Sequence, residues 1–328
     1  MKKSASIKDV ANLAGVSIAT VSRYLHGKLN RMSTKTAQQV KNAIDKLNYV
    51  PNAAARQLIT NKSKTIAIIV VNIADSFSTE LFKGASFVLE SSGYTTVMLD
   101  TNSQQQKEQH LINEVGLNTY DGLILQPLGS DAVTIKNEVK REMPIVILDR
   151  KLDYSPWPQV LSDNYSASYN AAKYFQNNGC TEAIVLSSTI SVASTRQERL
   201  KGIKEVYPQV KVLELEANNS GKHNHAIYHK LGKALTNTNS KTVLFFLEER
   251  WFFTFLSALL SDGLISNKNL QISGFADTDL IPTIWPTAKM IMQNPYQIGK
   301  KAGQLMLKLL NGDHQAIPPV TIIKTKFN

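Results

Sequence analysis

Arg23 is a side chain that could read a base directly. Its fork of N–H groups can meet the O6 and N7 of guanine together, worth ~1–3 kcal/mol of discrimination. It closes a segment, Ser17-Ile18-Ala19-Thr20-Val21-Ser22-Arg23, that also carries three hydroxyls. Ile18 and Ala19 have nothing to donate, so any reading by them would be apolar contact with thymine methyls. Other reactive groups do not assemble into a catalytic set. No G-x-G-x-x-G follows a strand, and Ser220-Gly221-Lys222-His223 lacks the first glycine and the hydroxyl of a phosphate-binding loop. No G-x-S-x-G elbow occurs. His225 and His229 stand at i, i+4 with His223 nearby, but no carboxylate completes a metal set locally, and the stretch reads as a polar surface helix. Cys180, the single cysteine, forms no intrachain disulfide and supplies no metal cluster. The expectation is a chain that is not an enzyme and uses neither metal nor cofactor.

The elements that would carry Arg23 follow from apolar spacing. Ile7, Val10, Ala11 and Ala14 fall on one face of a short helix. Gly15 allows a tight turn, Val16 can plug a core, and Ser17 can cap a second helix to Leu25. That second helix presents Val21, Tyr24 and Leu25 on one side. A loop over 26–30 leads to Ser33, which can cap a third helix with Ala37, Val40, Ile44 and Leu47 inward. Three short helices with a three-residue turn between the first two make a helix-turn-helix, whose second helix would enter the major groove by its amino-terminal end.

Charge agrees with that reading. The 328 residues carry a formal net charge of +11, and residues 1–64 hold 12 Lys and Arg against Asp9 and Asp45, a net of +10. One compact basic end on a near-neutral body is the footprint of a polyanion partner. A membrane surface would ask for bulky apolar groups opposite the lysines, and here the apolar positions belong to the small core. No stretch approaches the ~20 apolar residues of a membrane span, and the amino terminus has no apolar signal core. The expected location is cytoplasmic. An apolar fraction of 43% and a charged fraction of 19% are those of a globular chain able to bury a sizeable core.

Residues 7–17 (Ile-Lys-Asp-Val-Ala-Asn-Leu-Ala-Gly-Val-Ser), then Thr20-Val21-Ser22-Arg23, resemble the headpiece of the lactose/galactose repressor family of transcription factors. The match continues through Leu47-Asn48-Tyr49-Val50-Pro51-Asn52-Ala53-Ala54-Ala55-Arg56-Gln57-Leu58. The resemblance implies that Ser17, Thr20 and Ser22 anchor the recognition helix through their hydroxyls. Ile18 and Ala19 fall where the family varies its base readout, and Arg23 matches a base-reading arginine. Pro51 to Leu58 matches a hinge helix, too short to be stable alone and so folding when it binds. Within it, Asn52, Ala55 and Leu58 are expected at the DNA. Ala55 lets two hinge helices approach, and Leu58 wedges into a minor-groove step at a cost of a few kcal/mol.

From Lys64 the pattern changes to short apolar runs at regular distances. They are Thr65–Val71, Thr95–Asp100, Gly122–Gln126, Pro144–Asp149, Ala183–Ser188, Val210–Leu215, Thr242–Leu247, Leu270–Phe275, Lys289–Met292 and Thr321–Lys326. Amphipathic helical stretches lie between them, so the body is α/β with open parallel sheets. Ten runs are many for one sheet, which predicts two lobes and a cleft.

The resemblance extends over this body through Leu161-Ser162-Asp163-Asn164, Arg199-Leu200-Lys201-Gly202-Ile203, Gly274-Phe275-Ala276-Asp277 and Gln293-Asn294-Pro295. It implies a periplasmic-binding-protein-like sensor with an effector between lobes, at the carboxyl ends of the strands. Asp75 and Phe77 match a loop lining that cleft, Phe77 stacking on a sugar or base. Thr195 and Arg199 match ligand-bonding positions of the opposite lobe, and Arg150 points at the same crevice by topology. Glu248-Glu249, followed by Arg250 and Trp251, stands where the family commonly has Asn-Asp. Ala276-Asp277 stands where it has two acidic positions. The expected effector contacts are therefore Asp75, Phe77, Arg150, Thr195, Arg199, Glu248, Trp251 and Asp277, with no ligand identity transferred from a relative. Arg150, Arg199 and Arg250 hint at a sugar acid or sugar phosphate, since guanidinium pairs bidentately with carboxylate and phosphate.

The expected organisation is an all-α helix-turn-helix headpiece over 1–50, a hinge helix and linker over 51–63, and a two-lobed effector-binding and dimerisation core over 64–328. Its first lobe takes about 64–161 and 293–320, and its second about 162–292 and 321–328. No heptad helix follows the last strand, so a homodimer is expected on a pseudo-palindromic double-stranded operator. The expected function is an effector-responsive transcription regulator, a repressor of carbohydrate-utilisation genes. The rival is a small-molecule binding protein whose basic end holds RNA or membrane non-specifically; such a tail would need neither Ser17–Arg23 nor Leu58.

Overall fold

The computed structural model describes residues 5–25, 27–50, 62–215, 221–236, 240–264, 267–313 and 317–328, leaving out the side chains of 221–225, 234 and 236. The chain forms two units, Met1–Ser63 and Lys64–Asn328.

Among the described residues of the first unit, three α-helices pack together: Ile7–Ala14, Ile18–Leu25 and Thr34–Leu47. Ser6 and Asp9 form a capping box, the Ser6 N–H donating to the Asp9 carboxylate at 2.8 Å and Asp9 N–H to Ser6 Oγ at 3.3 Å. Gly15 ends the first helix at φ 66°, a left-handed conformation that suits glycine and makes the turn short. Ser17 and Ser33 cap the next two helices, accepting from Thr20 N–H at 3.2 Å and Thr36 N–H at 3.1 Å. Val10, Ala11, Ala14, Val21, Val40 and Ala43 are buried together between the helices.

The second unit holds two six-stranded sheets. The first contains β1 (Thr65–Val70), β2 (Thr95–Asp100), β3 (Gly122–Leu125), β4 (Ile145–Leu148), β5 (Gln159–Ser162) and β11 (Val320–Ile323), in the order β11-β5-β4-β3-β1-β2. The second contains β6 (Glu182–Ser188), β7 (Lys211–Leu215), β8 (Thr242–Phe246), β9 (Leu270–Ala276), β10 (Lys289–Met292) and β12 (Lys326–Phe327), in the order β12-β10-β9-β8-β6-β7. Among the described residues every pairing is parallel except β10 with β12. Each sheet lies between two apolar clusters, so central strands such as Ile66–Val70 are buried on both faces.

Two sequence expectations are corrected. Gln159–Ser162 forms a strand not separated out in the run count; only four residues long, it follows Pro158 directly. Thr321–Lys326 is not one strand of the second lobe. Val320–Ile323 pairs with β5 in the first sheet, and only Lys326–Phe327 joins the second. No Gly or Pro breaks the alternating Val-Thr-Ile-Ile-Lys-Thr-Lys-Phe run, so the change of sheet has no local signal.

The backbone crosses between sheets after β5, after β10 and after β11. Asp163, just past β5, accepts from Thr325 N–H at 2.9 Å and faces Lys324 Nζ at 3.5 Å, tying the first crossing to the last. In the first lobe the helices Ser76–Ser91 and Pro295–Leu310 pack backbone to backbone. A Cβ on Gly84 would lie 2.0 Å from the Tyr296 carbonyl oxygen, and one on Gly299 1.9 Å from that of Leu81. This contact seats the start of the Ser76–Ser91 helix, where the cleft begins.

Candidate nucleic-acid interface and interlobe cleft

In the first unit, Val21 turns inward and Ser17, Ile18, Ala19 and Arg23 are exposed, with Thr20 and Ser22 half-buried. Ile18 is 48% exposed, an apolar side chain at the helix start with no core to fill. Ser17 Oγ and Thr20 Oγ1 lie 3.0 Å apart, so the two hydroxyls form one polar edge. Lys8, Lys28, Arg31, Lys35, Lys41 and Lys46 are all exposed. The arrangement offers hydroxyls, one guanidinium and several cations to a phosphate backbone, as major-groove entry requires. Asn52, Ala55 and Leu58 lie outside the described residues.

In the second unit, the predicted cleft residues stand at the carboxyl ends of strands or on the helices that follow, where open α/β sheets bind ligands. Asp149 adopts φ 61° immediately after β4, a left-handed turn that aspartate tolerates better than most residues. Gln126 Nε2 donates to its carboxylate at 3.0 Å while Gln126 Oε1 accepts from Val71 N–H at 3.1 Å, joining the ends of β1, β3 and β4. Arg150 follows the turn. Its Nη1 donates to Leu128 O at 3.1 Å, and its Nε is buried without a partner.

Across the cleft Glu248 organises the end of β8. It accepts from Ser188 N–H at 2.8 Å, Ser188 Oγ at 2.9 Å, Arg250 Nη2 at 3.0 Å and Trp251 Nε1 at 3.1 Å. Burial pushes the Glu248 carboxyl up, but Arg250, Arg196 and the Ser188 hydrogen bonds outweigh it, leaving it below the usual range. Arg250 Nε, like Arg150 Nε, is buried without a partner. Arg150, Arg196 and Arg250 lie within one another's electrostatic reach, and burial depresses the pKa of Arg150 and Arg196.

Two acids behave differently. Burial first, then the charges of Asp75 and Glu249, raise Asp277 well above the usual carboxylate range, against the opposing pull of Arg199. Asp75 is raised by burial and by Glu248 and Asp149, with Arg250 opposing. Asp75 of the first lobe and Glu248, Arg250 and Asp277 of the second therefore share one field. Carboxyls of this kind suit sugar hydroxyls, and the free guanidinium N–H groups suit an anionic substituent.

Not every expected contact faces the opening. Phe77 is 7% exposed and packs in the first lobe's apolar cluster with Val70 and Leu81, so its ring is chiefly core. Trp251 likewise packs in the second lobe's cluster, with its N–H turned to Glu248. Thr195 is buried in the first turn of the Ser194–Val206 helix. Arg199 is held on all three nitrogens: Nε donates to Asn164 Oδ1 at 2.8 Å, Nη1 to Leu247 O, and Nη2 to Gln293 Oε1 at 2.7 Å. Its guanidinium also lies 3.7 Å over the Phe275 ring. Asp149, Arg196 and Gln126 belong to the cleft and are not singled out by the sequence, and Gln293, quoted there only as part of a resembling turn, joins them. Their position just past a strand end, or one turn before Arg199, was the available signal.

Among the described residues, no group of three His, Cys, Asp or Glu could hold a metal ion. In the same residues no helix is long and apolar enough to cross a membrane.

Comparison with known proteins agrees with this anatomy. Residues 6–52 match the family described as bacterial regulatory proteins, lacI family, and residues 66–314 match a periplasmic binding protein domain. The chain is 28% identical over 325 residues to the HTH-type transcriptional regulator KdgR of Bacillus subtilis (strain 168), covering 97% of this chain and 94% of that one. It is 39% identical to a LacI transcriptional regulator from Lactobacillus brevis of known structure, which covers 80% of this chain and 99% of its own at a TM-score of 0.76. The fold is also that of the lac repressor dimer bound to operator and the anti-inducer ONPF. That similarity has a TM-score of 0.83 and 18% identity over 99% of this chain and 98% of that one.

Proposed function

The chain belongs to the lacI family of bacterial regulatory proteins, DNA-binding transcription regulators that are not enzymes, and on that premise we propose a homodimeric repressor of carbohydrate-utilisation genes. Working in the cytoplasm, it changes its operator affinity with an anionic sugar derivative, a sugar acid or sugar phosphate, held between the lobes. The observation that carries the effector class is the pair of buried, unpartnered Nε groups on Arg150 and Arg250, one from each lobe. A buried guanidinium N–H without an acceptor is unfavourable, and a carboxylate or phosphate between the two would satisfy both. Asp75 and Asp277 then take hydroxyls of the ring. Such a ligand favours whichever lobe arrangement brings the two arginines to it, and operator affinity changes reciprocally with ligand affinity.

Two measurements test the proposal. Footprinting on a selected operator should show two-fold symmetry; an asymmetric footprint rejects the dimer on a pseudo-palindrome. Thermal unfolding against neutral sugars, sugar acids, sugar phosphates, nucleosides and purines should single out an anionic sugar. Ligand at 100 times its dissociation constant adds about 2.7 kcal/mol. A response confined to neutral sugars or to purines rejects the effector class.

A further inference from the structure

A cavity of about 790 Å³ lies at the end of the second lobe away from the cleft, at the amino-terminal ends of β6 and β7. We propose that it is a binding site for a flexible amphipathic carboxylate, a medium-chain fatty acid in its chemistry, separate from the effector site. One strand and one helix show the separation. Glu182, Ala183 and Ile184 at the start of β6 line the cavity, whereas Ser188 at its other end donates to Glu248 of the cleft. The Ser194–Val206 helix spans the same interval, 13 residues or about 20 Å. Its first turns carry Thr195, Arg196 and Arg199, and its last residue, Val206, lines the cavity.

The floor of the cavity is apolar. Cys180, Ala183, Val206 and Tyr207 come from the core on one face of the second sheet, and Ile184 from the core on the other. The cavity therefore bends round the strand ends, and its occupant must bend with it. A chain of methylenes can follow that path; a rigid ring system cannot. The volume falls in the range of complete ligand pockets, about 300–1,000 Å³.

The polar groups select the charge of the head. The carbonyls where two helices end here are engaged. Val206 O accepts from Gln176 Nε2 at 3.3 Å, Cys180 O from Tyr207 Oη at 3.1 Å and Asn178 O from Lys241 Nζ at 2.9 Å. These bonds hold the wall in shape before a ligand arrives, and they occupy acceptors that would otherwise favour a cation. Lys211 and Lys233 stand exposed at the rim, against Glu182 as the single acid among the described lining residues. Two ammonium groups outweigh one carboxylate, so an anionic head is favoured at the rim while its chain takes the floor.

Calorimetric titration of the full chain tests this with three probes of one chain length, decanoate, 1-decanol and decyltrimethylammonium, each below its micellar range. Decanoate should bind once per chain and at least roughly tenfold tighter than decanol, about 1.4 kcal/mol, and the cationic probe should not bind. Lys211→Gln should lower the decanoate affinity several-fold and leave that of decanol unchanged. The Lys211 side chain is exposed, so the fold should be untouched, and an unchanged melting midpoint verifies this. Lys211→Glu should reverse the preference, losing decanoate and admitting decyltrimethylammonium. No decanoate binding, several molecules per chain, or equal binding of the three probes (an adventitious amphiphile only) would overturn the site. Decanoate binding unaltered by both Lys211 variants would place the ligand elsewhere and overturn it equally. The effector reading of the cleft stands or falls on its own tests in every case.

Discussion

Glu108 and Arg150 hold the two ends of one residue: the Leu128 N–H donates to the Glu108 carboxylate, and the Leu128 carbonyl accepts from Arg150 Nη1 at 3.1 Å. Glu108 also takes Ser130 N–H at 3.0 Å and Ser130 Oγ at 2.8 Å, so one buried carboxylate fixes the loop that aims Arg150. Glu108→Gln turns an amide NH₂ toward backbone donors. It should lower unfolding stability by about 1–3 kcal/mol in urea and weaken effector binding several-fold. Unchanged effector affinity would break the proposed link to Arg150.

Asp277 and Glu248 should respond to pH with opposite signs. Asp277 is raised in the folded state, so its ionisation opposes folding, and the stability of the protonated form is lost as pH rises above the ordinary carboxylate range. Asp277→Asn should therefore be at least as stable as the parent at pH 7, with the difference shrinking toward pH 4. Glu248 is lowered, so its contribution is present above that range and lost as pH falls through its folded value. Glu248→Gln should cost most at pH 7 and least in acid. Denaturant midpoints at both pH values check the pair.

Arg199 links Asn164, Leu247 and Gln293, and Gln293 passes the connection on by donating to Asp277 Oδ1 at 2.6 Å. Lysine brings one ammonium where three acceptors wait. Arg199→Lys should destabilise the core by about 2–4 kcal/mol, read in urea without ligand. A stability equal to the parent's would restore Arg199 to a purely ligand-facing role.

On DNA, Arg23→Ala should relax preference at one position of each half-site by about 1–3 kcal/mol. Lys28→Ala should weaken binding to all duplexes alike and reduce the salt slope by about one. Competition binding at several salt concentrations separates the two effects. A loss of affinity without loss of preference on Arg23→Ala would make that arginine a phosphate contact.

The helix-turn-helix and the parallel strands were legible because each rests on local pattern. Gly15 and Ser17 punctuate the first, and runs such as Ile66–Val70 can only be central strands. The cleft was legible by topology, since strand ends place Asp75, Arg150, Glu248 and Asp277 whatever their rotamers. What each side chain does there was less so. An aromatic such as Phe77 satisfies core and ligand equally well in sequence, and packing against Leu81 decides for the core. Glu108 lies in an amphipathic helix, Gln105–Leu117, where an acid reads as solvent-facing. Only the 128–130 backbone, some twenty residues on, explains its burial. Arg196 was hidden because the Ser194–Val206 helix is charged nearly all round, so no face distinguishes it.

The ties at Asp163 bear on how the sensor can move. The backbone crosses three times at one sheet edge, and the last two crossings flank β11, with Lys324 and Thr325 alone between β11 and β12. Such a joint resists sliding and twisting, because either would strain all three crossings together, and yields chiefly to rotation about their common line. Differential ligand affinity is then channelled into a single coordinate. The core works as a lever on one axle rather than a ball in a socket, and a small angle at Asp163 becomes a large displacement at the far rim of either lobe.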